Sequence, residues 1–424
     1  MKVQGRIDVP GDKSISHRAL ILSALADGRS RVRTLLPSAD VRATAGALRN
    51  LGVRIATLGE ETTIEGVGLR GLAAPGAELD CGNSGTTARL MAGVAAAQPF
   101  SARFVGDASL MRRPMRRIQR PLERMGARVE LTDAGTLPMT VHGASLGVVD
   151  WDTGTASAQV KGAILLAGLC ARVPVTVREP VLSRDHSERM LHARGVDVER
   201  DGTRVTMRPT DTLRALDMTV PRDPSSAAFF VALAALARDG SLELPGVCVN
   251  PTRTGFLDVV RRMGATIEID GRRATGGEET ATLLVSPGPL RATTVEALDV
   301  PAMIDEIPIL ACLAARAEGQ TVITGAGELR VKESDRIAAV VANLRALGVS
   351  AEELPDGLVV EGSDRPLAGR VVTHGDHRLA MAFGVLGALP RCRVEVDDPG
   401  CVAVSYPEFW SDLSRAIAPA SPAA

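Results

Sequence analysis

The chain has 424 residues, of which 45% are hydrophobic and 23% charged, a composition typical of a globular protein with two or three domains. A formal net charge of −1 and an aromatic content of 2% argue against a nucleic-acid-binding protein, which would need a basic surface and stacking rings. Residues 1–10 lack the apolar segment of a secretory signal, and no apolar run reaches the roughly 18 residues of a membrane span. We therefore expect neither nucleic-acid nor membrane partners.

The six cysteines predict no metal site and no disulfide framework. They are far apart in the chain and show no C-x-x-C spacing. Such cysteines are typical of free thiols in a reducing compartment. We therefore expect a cytoplasmic protein.

A weak internal repeat runs along the whole chain. Six segments combine a polar or glycine-rich start with a compact apolar helix, and their starts are 66 to 82 residues apart. They begin at Lys13, Asn83, Ser157, Asp223, Asp305 and Asp376. A period of this size indicates one supersecondary unit used six times.

A second series of segments predicts amphipathic helices, each closed by a glycine and followed by a strand. These glycines are Gly52, Gly126, Gly195, Gly264 and Gly348. Alternating helices and short strands predict an α/β architecture. The polar residues of the first series lie at helix N-termini, which bind phosphate and carboxylate groups well.

The choice of basic residue singles out two lysines. Only four of the 49 basic residues are lysine: Lys2, Lys13, Lys161 and Lys332. An ammonium group can transfer a proton near neutral pH and a guanidinium cannot. Lys2 is close to the terminus, so we consider Lys13 and Lys332 the candidates for chemistry.

In the first half of the chain, five motifs carry polar side chains at or near predicted helix starts. PGDKSISHR lacks the spacing of a nucleotide-binding P-loop, which argues against an ATPase. In DASLMRRPMRRIQRPLER, Arg113 beside Pro114 is the best candidate for a carboxylate or phosphate clamp. GNSGTTARL, SAQVKG and SRDH offer further donors, although helix capping alone also explains several of them.

The second half contributes DEIP, RVKESDR and GDHR. Lys332, Glu333 and Arg336 are close together in a loop that enters a predicted helix. A carboxylate among cations can remain ionised as a base, or act as an acid when its neighbours change.

Taken together and in this order, the motifs from PGDKSISHR to DPGCVAVSYPEF resemble the 5-enolpyruvylshikimate-3-phosphate synthase family over essentially the whole chain. The resemblance implies a two-domain inside-out α/β barrel of six βαβαββ units, three per domain. Residues 1–11 with 224–424 would form one domain and residues 12–223 the other, with the active site in the cleft between them. Independently of the resemblance, we expect a monomer.

The resemblance further implies two substrates and no metal or other cofactor. Shikimate-3-phosphate would contact Lys13, Ser14, Arg18, Ser157, Ala158, Gln159, Arg184, Asp305 and Lys332. Phosphoenolpyruvate would contact Lys13, Asn83, Gly85, Arg113, Gln159, Arg336 and Arg378. The family transfers an enolpyruvyl group by addition and elimination. Asp305 and Lys13 would handle the hydroxyl proton and Glu333 the methyl proton, with Lys332 and His377 in support.

Two positions affect how closely this chain is expected to follow the family in binding substrate and inhibitor. Some members have a further lysine after the DPGC motif, where this chain has Val404. In this family a methyl group at the position of Gly85 obstructs the inhibitor glyphosate, and the glycine here has none. We therefore expect inhibition by glyphosate that is competitive with phosphoenolpyruvate.

Two alternatives stay open. UDP-N-acetylglucosamine enolpyruvyl transferase has the same fold and donor but uses a cysteine in the loop that corresponds to GDASLMRRP, which has none. A non-catalytic binding protein for phosphorylated metabolites would be expected to lack Lys13, Asp305 or Glu333. The Pro- and Ala-rich segment after Ile417 is expected to be a disordered tail.

Overall fold

Buried apolar helices alternate with short strands throughout the chain. The computed structural model describes residues 1–417, so the expected tail lies outside the described residues. Its α-helices are α1 (Lys13–Ala24), α2 (Ala39–Asn50), α3 (Gly85–Ala96), α4 (Arg116–Met125), α5 (Ala158–Ala171), α6 (His186–Ala193), α7 (Pro224–Ala235), α8 (Gly255–Met263), α9 (Ile307–Ala314), α10 (Arg336–Ala346), α11 (His377–Gly387) and α12 (Phe409–Ala416). Along residues 1–417, none of the helices combines the length and the hydropathy that a membrane crossing requires.

The strands are short and numerous. They are β1 (Lys2–Val3), β2 (Asp27–Arg33), β3 (Arg54–Ile55), β4 (Glu61–Val67), β5 (Leu79–Asp80), β6 (Ser101–Val105), β7 (Arg128–Glu130), β8 (Met139–His142), β9 (Val149–Asp152), β10 (Val175–Arg178), β11 (Val198–Asp201), β12 (Arg204–Met207), β13 (Met218–Thr219), β14 (Asp239–Gly240), β15 (Leu242–Cys248), β16 (Thr266–Thr275), β17 (Glu278–Ser286), β18 (Thr294–Val295), β19 (Gln320–Ile323), β20 (Ala351–Leu354), β21 (Gly357–Glu361), β22 (Ala368–Val371) and β23 (Arg393–Val396).

The chain divides into two compact units. The first unit comprises Met1–Pro10, Arg222–Arg273 and the described chain from Glu279 onward. The second comprises Gly11–Pro221 together with Ala274–Glu278. Helices and sheets occur in both units, so the predicted α/β class with two domains is confirmed.

Three sheets of the second unit share one strand order. They run β13-β2-β4-β3, β5-β6-β8-β7 and β9-β10-β12-β11. In each sheet the first pair is parallel and the other two pairs are antiparallel. Each sheet with its two helices forms one βαβαββ repeat. The first strand of the first repeat is β13, which lies near the end of Gly11–Pro221.

The first unit follows the same plan less regularly. The sheet β18-β19-β21-β20 has the full set of four strands, whereas β15-β17-β16 has three and β22-β23 has two. Helices α7, α9 and α11 are almost entirely buried among these sheets, which explains their continuous apolar sequences.

The amphipathic helices end as the glycine pattern predicts. All five predicted glycines have positive φ, between 83° and 116°. Gly126 and Gly264 are the left-handed caps of α4 and α8. Glycine adopts this conformation without the steric cost that a Cβ atom imposes.

Candidate active site

Lys13 is the first helical residue of α1, and a carboxylate holds its ammonium group. The side chain of Asp12 caps the helix by accepting a 2.8 Å hydrogen bond from the Ile15 N–H. Lys13 Nζ donates to Asp40 Oδ2 over 3.1 Å, and the two side chains are 17% and 11% exposed. This half-buried pair fixes the ammonium group at the start of the helix.

Arg18 connects three segments of the second unit. Its Nε donates to Ser187 Oγ over 2.7 Å, Nη1 donates to Ser14 O over 3.0 Å, and Nη2 donates to Ala158 O over 3.3 Å. Burial lowers the pKa of Arg18 to about 10, and the nearby charge of Arg184 adds to the lowering. The structure therefore brings these predicted acceptor residues close together.

Arg113 and Gly85 lie at the start of α3. Arg113 Nη2 donates to Asn83 Oδ1 over 2.5 Å, and Nη1 donates to Asn83 O over 3.3 Å. A Cβ atom added to Gly85 would lie 2.7 Å from Arg89 Nη1 and 3.5 Å from Arg113 Nη1. Two guanidinium groups thus lie beside a position without a side chain.

Arg89 and Asp40 were not selected from the sequence. Arg89 Nη1 donates to Gln159 Oε1 over 2.7 Å, and Gln159 Nε2 donates to Thr86 Oγ1 over 2.9 Å. Arg89 follows Gly85 by four residues, one helical turn, and this spacing could have identified it. Asp40 lies 27 residues from Lys13, and no local pattern connects the two.

The remaining predicted residues of the second unit lie on three separate segments. Ser157 is the N-cap of α5, and its Oγ accepts a 3.4 Å hydrogen bond from the Val160 N–H. Arg184 is half-buried in the segment that precedes α6. Ser14 lies in the first turn of α1.

In the first unit, three cations surround one carboxylate. Asp305 Oδ1 lies 3.2 Å from Arg336 Nη1 and 3.9 Å from Lys332 Nζ. Asp305 Oδ2 lies 3.7 Å from Arg378 Nη2, and Arg378 Nη1 donates to the Asp305 carbonyl over 3.1 Å. Neighbouring cations favour the ionised form of a carboxylate, which is the form that can accept a proton.

Arg336 is the centre of this second cluster. It is 1% exposed and contacts two further carboxylates, Glu333 Oε2 at 2.7 Å and Asp376 Oδ2 at 2.8 Å. Burial alone would lower the pKa of Arg336, but Asp376, Glu333 and Asp305 outweigh it and raise that pKa. The guanidinium is therefore permanently charged and already contacts three carboxylates.

Asp376 anchors the start of α11. Its Oδ1 accepts a 3.0 Å hydrogen bond from the Arg378 N–H, and its Oδ2 accepts one of 3.0 Å from Ser334 Oγ. Burial opposes ionisation of Asp376, but the charges of Arg336 and His377 help to hold its pKa below the ordinary value. All the residues predicted in this half, His377 included, thus belong to one connected cluster.

Both units therefore place cations and proton-transfer groups at the starts of buried helices. The second unit contributes Lys13, Arg18, Arg89 and Arg113. The first contributes Lys332, Arg336 and Arg378 around carboxylates. Such an arrangement can bind polyanionic molecules and exchange protons with them.

Comparison with known proteins identifies the family. Residues 1–413 match the family model described as EPSP synthase (3-phosphoshikimate 1-carboxyvinyltransferase). A 3-phosphoshikimate 1-carboxyvinyltransferase from Sulfurihydrogenibium sp. (strain YO3AOP1) is 47% identical over 419 residues, covering 98% of this chain and 97% of that protein. Another from Acidithiobacillus ferrooxidans (strain ATCC 53993 / BNL-5-31) is 50% identical over 409 residues, covering 96% of this chain and 94% of that protein.

Solved structures agree with these sequence matches. EPSP synthase from Acinetobacter baumannii superposes with a TM-score of 0.87 at 41% identity and covers 98% of this chain and 96% of that chain. The enolpyruvyl transferase NikO from Streptomyces tendae superposes with a TM-score of 0.76 at 19% identity, which shows a common fold. The chain belongs to the EPSP synthase family, whose members are 3-phosphoshikimate 1-carboxyvinyltransferases.

Proposed function

We propose that this protein transfers the enolpyruvyl group of phosphoenolpyruvate to the 5-hydroxyl of shikimate-3-phosphate and releases phosphate. This is the carboxyvinyl transfer of the shikimate pathway, which leads to chorismate and the aromatic amino acids. The observation that carries the proposal is the pair of lysines held beside carboxylates, Lys13 with Asp40 and Lys332 with Asp305. Both lysines combine a positive charge with a transferable proton.

In this proposal the acceptor is bound mainly by the second unit. Ser14, Arg18, Ser157, Ala158, Gln159 and Arg184 contact shikimate-3-phosphate, together with Lys13, Asp305 and Lys332. The support is that Arg18, on α1, donates to the carbonyl groups of Ser14 and Ala158. These hydrogen bonds connect the N-terminus of α1 to that of α5. The N-termini of α1 and α5 add backbone donors that suit a phosphate group.

The donor is assigned to Lys13, Asn83, Gly85, Arg113, Gln159, Arg336 and Arg378. Arg113 lies beside Gly85, where the missing Cβ atom leaves room for a close approach to the backbone. Arg336 already contacts three carboxylates. Binding of a further anion by Arg336 therefore requires Glu333 or Asp305 to give up a contact, which would release that carboxylate for proton transfer.

The reaction has two steps. In the addition, the 5-oxygen bonds to C2 of phosphoenolpyruvate, its proton passes to Asp305 or to Lys13 in its neutral amine form, and Glu333 in its protonated form delivers a proton to C3. In the elimination, Glu333 takes a proton back from C3, the C2–C3 double bond forms again, and the bond from C2 to the phosphate oxygen breaks, which releases phosphate. Lys332 and His377 stabilise the charges that develop.

Release of phosphate from purified protein tests the assignment. Phosphoenolpyruvate is supplied with shikimate-3-phosphate, or with UDP-N-acetylglucosamine as the parallel acceptor. We expect release only with shikimate-3-phosphate and loss of release in Lys13→Ala. Release only with the sugar nucleotide would assign the chain to the alternative transferase. No release with either acceptor, from folded protein, would favour a non-catalytic binding protein for phosphorylated metabolites.

We also propose a monomer that acts in the cytoplasm. All six cysteines are free thiols, which suits a reducing compartment. Large exposed apolar side chains such as Val148 and Leu298 are scattered along the chain. Sedimentation equilibrium of the purified protein tests the monomer, and a dimer at micromolar concentration would contradict it.

A further inference from the structure

A fully buried lysine lies next to two of the segments that carry the proposed acceptor residues. Lys161 is in the first turn of α5, and its side chain is 0% exposed. Its Nζ lies 2.7 Å from Glu179 Oε2 and 2.7 Å from Glu188 Oε1. It is one of only four lysines in the chain, and neither the substrate contacts nor the proton transfers proposed above use it.

Glu179 connects the two segments that carry the acceptor residues. Its Oε1 accepts a 3.1 Å hydrogen bond from the N–H of Ser157, and its Oε2 accepts one of 3.2 Å from the N–H of Ser183. Lys161 Nζ also lies 3.5 Å from the carbonyl oxygen of Ser183. The two serines directly precede Ala158 and Arg184, so one buried carboxylate bridges the backbones of both segments.

This carboxylate needs a buried counter-ion. Burial alone would lower the pKa of Lys161, but Glu188 and Glu179 outweigh it and raise that pKa, so the ammonium form is favoured. Burial raises the pKa of Glu188, while Lys161 opposes the rise. Without Lys161, the buried carboxylate of Glu179 would lose most of its electrostatic stabilisation. It would then no longer hold the amides of Ser157 and Ser183 in place.

We propose that Lys161 is a positioning residue for the acceptor, because with Glu179 it holds the amides of Ser157 and Ser183 at a fixed separation. The bridge aligns Ser157 and Arg184 for a phosphorylated acceptor and leaves the donor residues at the start of α3 unaffected. This inference rests on the proposed function, since it concerns the acceptor half of the same site.

The experiment separates the two substrates. The double variant Lys161→Met with Glu188→Gln removes one positive and one negative charge, so the net charge of the cluster is unchanged. We expect it to raise the KM for shikimate-3-phosphate by about 10- to 100-fold, because a displacement of order 1 Å has effects of that size. The KM for phosphoenolpyruvate should change much less.

Two controls accompany this variant. Glu188→Gln alone keeps the pair of Lys161 and Glu179, so its KM for shikimate-3-phosphate should stay close to that of the unmodified protein. Arg194→Met removes another buried cation of the same unit, at the far end of α6, where the guanidinium contacts Ser23 Oγ and Met218 Sδ. It should lower stability without changing either KM selectively.

Several outcomes would overturn the inference. These are an unchanged KM for shikimate-3-phosphate in the folded double variant, an equal rise for both substrates, or the same rise in Arg194→Met. If the double variant does not fold, Glu179→Gln replaces it, because an amide oxygen and an NH2 group cannot accept from both backbone amides. Glu179→Gln should show the same selective rise, and its absence would be equally decisive.

A second measurement does not depend on turnover. Amide hydrogen exchange at Ser157 and Ser183 should be faster in the double variant than in Arg194→Met, because both N–H groups lose a fixed acceptor. Exchange rates that match the control would contradict the bridge. Absence of turnover in the unmodified protein would contradict the proposed function, whereas the exchange experiment would still test the role of Lys161.

Discussion

Arg336 Nε donates to Asp376 Oδ2 over 2.8 Å, and this buried ion pair connects the first turn of α10 to the N-cap of α11. The same guanidinium contacts Asp305 and Glu333. One arginine therefore contacts three carboxylates, two of which are proposed to transfer protons. Its contacts within the protein and its proposed contact with phosphoenolpyruvate involve the same guanidinium group, so its removal is expected to affect both.

The first prediction concerns stability. Arg336→Met should lower the free energy of unfolding by about 3–5 kcal/mol, because it removes the arginine that is paired with the fully buried carboxylate of Asp376. Urea denaturation at pH 7 measures this change. The exposed pair of Arg29 and Glu65 gives the control, and Arg29→Met should cost no more than about 1 kcal/mol. Equal effects of the two substitutions would contradict the network.

The second prediction concerns Lys13. Lys13→Arg keeps a positive charge beside Asp40 but removes a group that can release a proton near neutral pH. We expect kcat to fall by about 10²- to 10⁴-fold, the range for loss of a general acid–base group. Lys2→Arg, at an exposed position in β1, is the matched control. Near-normal turnover of Lys13→Arg would show that Lys13 supplies charge alone.

The third prediction concerns glyphosate. The unmodified protein should be inhibited competitively with phosphoenolpyruvate, as expected from Gly85. In Gly85→Ala the new methyl group would lie 2.7 Å from Arg89 Nη1, so this guanidinium must move. Inhibition should weaken, and the KM for phosphoenolpyruvate should rise. Full activity of the unmodified protein in millimolar glyphosate would contradict the prediction.

The fourth prediction concerns Arg89, which the sequence analysis did not select. Its hydrogen bond to Gln159 Oε1 orients an amide that is proposed to contact both substrates. Arg89→Met should raise both KM values by about tenfold, since a charged hydrogen bond to a neutral group contributes roughly 1.5–3 kcal/mol. Initial rates with each substrate varied in turn measure the effect. A change in only one KM would mean that Gln159 serves one substrate.

The sequence predicted those features that depend on local chemistry. The glycine caps followed from a positional preference of a single residue type, and Gly126 and Gly264 adopt the left-handed conformation as expected. The groups at the N-termini of the buried helices were selected because lysines and arginines cluster there, and helix capping accounts for Ser and Asp but not for these cations. Lys13 and Lys332 stood out because this chain uses arginine almost everywhere else.

Pairings between distant segments could not be predicted in this way. Asp40 contacts Lys13, and Glu179 and Glu188 contact Lys161, only because the βαβαββ units bring separate helices and loops together. The lysine count alone did not distinguish Lys161 from a surface residue, since burial of its ammonium group depends on two carboxylates from other elements. The fold supplies this information, and local spacing does not.

The last prediction concerns the stability of the protein in acid. His17 is fully buried in α1, and its Nδ1 lies 2.7 Å from Thr44 Oγ1. Burial lowers the pKa of His17 from 6.5 to about 3, and the charges of Lys13 and Arg18 act in the same direction against that of Asp40. A histidine with a lowered pKa binds fewer protons in the folded than in the unfolded state. Its contribution to stability is therefore complete above pH 6.5 and is lost as the pH falls toward 3.

Between these limits His17 should make the free energy of unfolding rise by about 1.4 kcal/mol per pH unit. His17→Asn, whose side chain does not titrate, should reduce this slope by that amount. Urea denaturation at pH 5 and pH 6 measures the slope for both proteins. If the free energy of unfolding changes equally with pH in both proteins, His17 has the same pKa in the folded and unfolded states. That result would contradict a buried neutral imidazole at this position.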